Sequence, residues 1–96
     1  MSTSPADNLT TLHLVIHGRV QGVFFRDSMR REAQRLAVRG WARNTAEGTV
    51  EAMVQGEQSA VAKIVQWAHR GPLHAQVSKV EVEAGSGAFQ QFEILY

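Results

Sequence analysis

Leu12-His13-Leu14-Val15-Ile16-His17-Gly18-Arg19-Val20-Gln21-Gly22-Val23-Phe24-Phe25-Arg26 reads as a strand, a turn and the start of a helix in succession. Leu12, Leu14 and Ile16 alternate with His13, Val15 and His17, the period of a half-buried strand. The alternation ends at Gly18, and Gly18 and Gly22 bracket a short turn. From Phe25 onward, Phe25, Met29, Ala33 and Leu36 recur at helical spacing, which predicts a helix with one face turned inward. A tight turn feeding a helix start lets backbone N–H groups converge on an anion. Arg26 falls in the first helical turn. The helix macrodipole disfavours a cation there by about 0.3–1 kcal/mol. Such a breach of a local rule needs compensation, and a bound phosphate, attracted by the N–H groups and the guanidinium alike, would supply it.

Working outward, Gly40 ends the first helix, and Trp41-Ala42-Arg43-Asn44 reads as a short second strand. Thr45-Ala46-Glu47-Gly48 has the composition of a hairpin turn. A third strand, Thr49 to Gln55, puts Val50, Ala52 and Val54 on one face, with Gly56 expected to stop it. Val61, Ile64, Val65 and Ala68 form a second amphipathic helix, closed by Gly71-Pro72. Val80 and Val82 lie in a fourth strand, Gly85-Ser86-Gly87 reads as a turn, and Phe92, Ile94 and Tyr96 alternate in a last strand. The order is β-α-β-β-α-β with an added final strand. It predicts an α+β class fold, a ferredoxin-like βαββαβ sandwich with two helices on one face of an antiparallel sheet.

Ninety-six residues make one domain, expected over 11–96 behind a flexible N-terminal tail at 1–10. The opening segment is polar and has no apolar core, so no secretory leader is expected. No apolar stretch approaches the roughly 20 residues of a membrane span. There is no cysteine, which excludes disulfides, a thiolate nucleophile and cysteine metal sites and fits a cytoplasmic enzyme. A net charge of +1 does not advertise nucleic acid or an anionic membrane as partner. A monomer is the expected state.

The turn is not a Walker A loop, since no Gly-Lys-Ser/Thr follows, and it is not the Gly-x-Gly-x-x-Gly dinucleotide fingerprint. A second run, Gly40-Trp41-Ala42-Arg43-Asn44 with Gly48, Val50 and Gly56 after it, sharpens the reading. Taken together, the two runs resemble the signatures of the acylphosphatase family, complete and in the family's order, from about Leu12 to Tyr96. The resemblance implies hydrolysis of the carboxyl–phosphate bond of small-molecule acyl phosphates to a carboxylate and inorganic phosphate, with no metal and no cofactor. It implies that Arg26 binds the phosphate, that Asn44 positions the attacking water, and that the Arg19-Val20-Gln21-Gly22-Val23 stretch holds the phosphate through its N–H groups. Many members of the family end in Arg-Tyr, whereas this chain ends Leu95-Tyr96.

Residue chemistry supports the same substrate class. An amide is no base, but it can hold a water in line with phosphorus, and phosphoryl transfer asks mainly for positioning and charge neutralisation. A carboxylate leaving group departs without a proton. An alkoxide would need an acid or a metal, and the two runs contain no evident acid for that role. Arg19 reads equally as a phosphate-steering residue or a solvated loop residue. His13 and His17 face one way on the first strand, ~13 Å apart, too far to share a metal. His69 and His74 flank a helix end, where histidine is commonplace. Ser28 has no activating base in sight. Asp27 and Arg31 at i,i+4, with Arg30, Glu32 and Arg35, read as an ion-paired helix face, and Trp41 and Trp67 as hydrophobic anchors. An RNA-recognition module shares the element order but stacks bases on aromatics of its third strand, and Thr49–Gln55 has none. A non-catalytic relative would be expected to lack Arg26 or Asn44, and both are here.

Overall fold

The computed structural model describes residues 9–96. Along the chain run β1 (Leu9–Arg19), α1 (Phe25–Leu36), β2 (Arg39–Asn44), β3 (Val50–Glu57), α2 (Gln58–Ala68), β4 (Gln76–Ala84) and β5 (Phe92–Leu95). The strands form one five-stranded sheet in the order β4-β1-β3-β2-β5. β1 pairs antiparallel with β3 and β4, and β2 antiparallel with β3. β1 and β2 therefore run parallel with β3 between them, which is the split βαβ arrangement of a ferredoxin-like fold.

The alternation along the strands decides which face the helices cover. Leu14 and Ile16 of β1, Val50, Ala52 and Val54 of β3, and Ala42 of β2 are all completely buried. They meet Phe25, Met29 and Ala33 of α1 and Val61, Ile64 and Ala68 of α2 in one core cluster. Trp67 anchors the helical layer, its ring centroid 5.3 Å from that of Phe25. Trp41, also read as a hydrophobic anchor, is half-buried and lies outside that cluster. The opposite face carries polar residues: His13 bridges Glu51 and Glu83 at 2.6 and 3.1 Å, and His17 meets Glu81.

Several local expectations are corrected. β1 begins at Leu9, paired with Glu57, so Leu9 and Thr10 belong to the sheet and not to the tail, while residues 1–8 lie outside the described residues. β1 also continues past Gly18 to Arg19, with an irregularity in the β4 pairing between His17 and Gly18. A Cβ at Gly18 would come within 2.1 Å of the Gln76 carbonyl oxygen, so that glycine serves close strand approach and not the turn. β3 runs through Gly56 to Glu57. On α1 the ion pairs are Asp27–Arg30 at 3.8 Å and Glu32–Arg35 at 2.7 Å, both i,i+3, and Arg31 does not pair with Asp27.

The last strand differs most. β5 pairs with β2 in parallel, so the sheet is mixed and not wholly antiparallel. β4 and β5 occupy opposite edges, and the segment between them is a crossover along one end of the sheet, not the hairpin turn that Gly85-Ser86-Gly87 resembles. Gln55 anchors it: its amide nitrogen donates to Thr11 Oγ1 and Gly87 O, and its amide oxygen accepts from Phe89 N–H. Gly85 N–H donates to Thr11 O, and Gly40 N–H to Gln91 O. This crossover brings β5 beside β2 in the same direction as β1 and β2. The C-terminal ends of β1, β2 and β5 therefore gather at one end of the sheet.

Candidate active site

At that end lies a cavity of about 280 Å³, lined by Val20, Gly22, Phe24, Phe25, Arg26, Asp27, Asn44, Ile94 and Tyr96. The β1–α1 loop forms one wall. Gly22 has φ +76° with open space where a Cβ would stand, so backbone faces the cavity there with no side chain in the way. Phe24 is a non-glycine residue in the left-handed region, φ 60° and ψ 31°, and it is the N-cap of α1 with no side-chain capping bond. Left-handed backbone costs an aromatic residue about 1–2 kcal/mol, and such strain gathers at functional sites. Among the described residues, no backbone N–H from Val20 to Phe24 makes a well-formed hydrogen bond to a protein acceptor. Donors brought to a helix start without partners are the chemistry that an anion cradle needs.

Arg26 stands in the first turn of α1, and its Nη1 donates to the Leu95 carbonyl at 3.3 Å. Its guanidinium lies over the Tyr96 ring, 5.0 Å from the centroid. A stacked, hydrogen-bonded guanidinium is oriented, and an oriented fork suits an oxyanion. Asn44, the last residue of β2, reaches the same cavity from the sheet side. Asp27 completes the rim, its carboxylate 3.8 Å from Arg30.

Of the expected site residues, the fold brings Val20, Gly22, Arg26 and Asn44 to one cavity. Val20 and Val23 are core side chains, which leaves only their backbone for a ligand. Arg19 and Val23 border a neighbouring depression with Phe24, Leu73 and His74. The Gln21 side chain turns away, donating to the carbonyls of Thr45 and Thr49 at 2.9 Å each. Sequence reasoning missed Phe24, Ile94, Leu95 and Tyr96. The crossover, for which no local pattern speaks, sets Leu95 and Tyr96 against Arg26 and brings Ile94 to the same cavity. Among the described residues, no group of three or more His, Cys, Asp or Glu could hold a metal ion, and no helix is long and apolar enough to cross a membrane.

Residues 12–94 match the acylphosphatase family. The chain belongs to the acylphosphatase family. Over 85 residues it is 55% identical to an acylphosphatase of Thiobacillus denitrificans, covering 88% of this chain and 96% of that one. It is 52% identical over 85 residues to an acylphosphatase of Rubrobacter xylanophilus, covering 86% of this chain and 77% of the relative. Its backbone superposes on the solved acylphosphatase of Coxiella burnetii with a TM-score of 0.93 at 35% identity, covering 98% of this chain and all of that one. The chain is thus an enzyme of the hydrolase class, and its ferredoxin-like sheet is that of acylphosphatases of known structure.

Proposed function

We propose that the cavity at the C-terminal ends of β1, β2 and β5 hydrolyses small-molecule acyl phosphates without a metal. One observation carries the reading: a single cavity joins the Gly22 backbone, the Arg26 guanidinium and the Asn44 amide. The phosphate sits against the N–H groups of the Arg19-Val20-Gln21-Gly22-Val23 stretch, with Arg26 balancing its charge. Asn44 holds a water on the sheet side, aligned on phosphorus. The carboxylate leaves without a proton, and the phosphate itself accepts the proton of the attacking water. Asp27 is occupied with Arg30 and is not needed as a base. The lack of cysteine supports the cytoplasm as its place.

Turnover of a simple acyl phosphate by four proteins tests this. Arg26→Ala loses roughly 10³-fold or more in kcat/KM, with both binding and turnover weakened. Asn44→Ala loses about 10²–10³-fold in kcat, comparable to the loss of an oxyanion donor, with less harm to phosphate binding. Asp27→Asn stays active. Wild-type turnover is unchanged by excess chelator, and an alkyl phosphate monoester is hardly touched. Loss of activity in chelator, restored by a divalent cation, would refute the metal-free reading.

A further inference from the structure

Gln21 belongs to the phosphate loop, yet its amide points at the β2–β3 turn. The amide nitrogen donates to Thr45 O and to Thr49 O, both at 2.9 Å. Thr45 follows Asn44, and Thr49 precedes Val50, the residue paired with Asn44 across the β2–β3 ladder. The two carbonyls thus bracket Asn44 and its strand partner. The turn does not need Gln21 to close. Thr45 N–H already donates to Thr49 O at 2.9 Å, Gly48 N–H to Thr45 O at 3.2 Å, and the two threonine hydroxyls meet at 2.6 Å. Among the described residues, the hydrogen bonds between the loop at 20–24 and the turn at 45–49 come from the Gln21 amide.

We propose that Gln21 is a positioning residue that sets the distance and angle between the phosphate loop and Asn44. The proposal rests on the reading of Arg26 and Asn44 given above. In-line displacement needs water, phosphorus and leaving oxygen on one line. The phosphate's seat hangs from β1 and α1, while the water's seat hangs from β2. β1 and β2 are not paired, because β3 lies between them. Relative movement of the two seats is therefore not opposed by a direct ladder. The Gln21 amide spans that gap with two donors on a single nitrogen. Glutamate offers no donor there, and leucine offers neither donor nor acceptor. Because both carbonyls keep a backbone partner when Gln21 is removed, the cost to the fold is small and the cost to alignment is what remains.

The experiment measures kcat, KM, phosphate inhibition and melting temperature for wild type, Gln21→Leu, Asn44→Ala and the double variant, with Gln55→Leu as control. Gln55 makes a comparable set of amide bonds, but at the crossover end of the sheet. Should Gln55→Leu not fold, Thr11→Val removes one of the same bonds. Gln21→Leu is expected to lose about ten- to a hundredfold in kcat, the scale of an ångström misplacement, while phosphate inhibition changes far less. In the Asn44→Ala background the same substitution should cost little more, since the group being positioned is gone. The control should lower the melting temperature at wild-type kcat. Losses from Gln21→Leu and Asn44→Ala that simply multiply would overturn the proposal and leave the site reading intact, as would wild-type kcat in Gln21→Leu. Wild-type turnover in Asn44→Ala would overturn both.

Discussion

Inorganic phosphate, as product, should bind the free enzyme and raise its melting temperature through Arg26. Gly22 of the loop, Phe25 at the start of α1 and Arg26 line one cavity, and in the proposed reading a small oxyanion there gains from loop N–H groups, helix start and guanidinium together. A ligand that binds only the folded state adds about 1.4 kcal/mol at ten times its dissociation constant. Unfolding entropy of about 2.1 cal/mol/K per residue gives roughly 0.2 kcal/mol per degree for a chain of 96 residues. The expected rise is therefore about 7 °C. Chloride at matched ionic strength should do much less, which separates a built site from screening. Arg26→Ala gives up the Leu95 hydrogen bond and the stacking on Tyr96, so its melting point starts lower even without phosphate. The informative quantity is the phosphate-minus-chloride difference, which should largely vanish in Arg26→Ala and survive in Asn44→Ala. Differential scanning fluorimetry on the three proteins, titrated with each salt, reads it directly. Equal phosphate shifts in wild type and Arg26→Ala would show that the anion site lies elsewhere.

Gly22→Val should fold but lose turnover and phosphate protection. Its φ of +76° strains a β-branched residue by about 1–2 kcal/mol, while its Cβ meets nothing within 4 Å and projects into open space. Circular dichroism with an activity assay checks both halves, and an active variant with normal phosphate inhibition would contradict the cradle. On the helix-free face, the His13 hydrogen bond, joined by Arg43, holds the Glu51 carboxyl below the usual carboxylate range. A carboxyl depressed in the folded state adds stability that is complete above its unfolded pKa of about 4.3 and is lost as pH falls through the folded value. Glu51→Gln should therefore lower stability at neutral pH and flatten the acid limb below about pH 4.3, as read by urea melts from pH 3 to 7. An unchanged acid limb would mean that the contact adds nothing to folding.

Much of the fold was legible because its determinants are local. The alternation of Leu12, Leu14 and Ile16 and of Val50, Ala52 and Val54 named the buried face of each strand, and the spacing of Phe25, Met29 and Ala33 named that of α1. A core packs whatever apolar stripe each element presents, so these patterns survived folding unchanged. The run from Gly18 to Arg26 and the Asn44 run, read with the family resemblance, also marked Val20, Gly22, Arg26 and Asn44, which the cavity brings together. The path of the chain after β4 was not legible. Gly85-Ser86-Gly87 has the composition of a hairpin turn, and composition carries no information about which edge of a sheet is still unpaired. Only the closed sheet, with the β2 edge open and Gln55 waiting at its end, decides that the chain crosses over and pairs β5 in parallel. That choice sets Leu95 and Tyr96 against Arg26, about seventy positions earlier in the chain. The same holds for Gln21: its identity is in the sequence, but the two carbonyls that receive its amide come together only when β2, β3 and β1 lie side by side. The sequence by itself determined the elements, through short-range periodicity and turn chemistry, and its resemblance to a family named the parts of the candidate site. Tertiary structure alone decided what holds those parts in place, because strand order and edge pairing are set by long-range contacts that no local window contains.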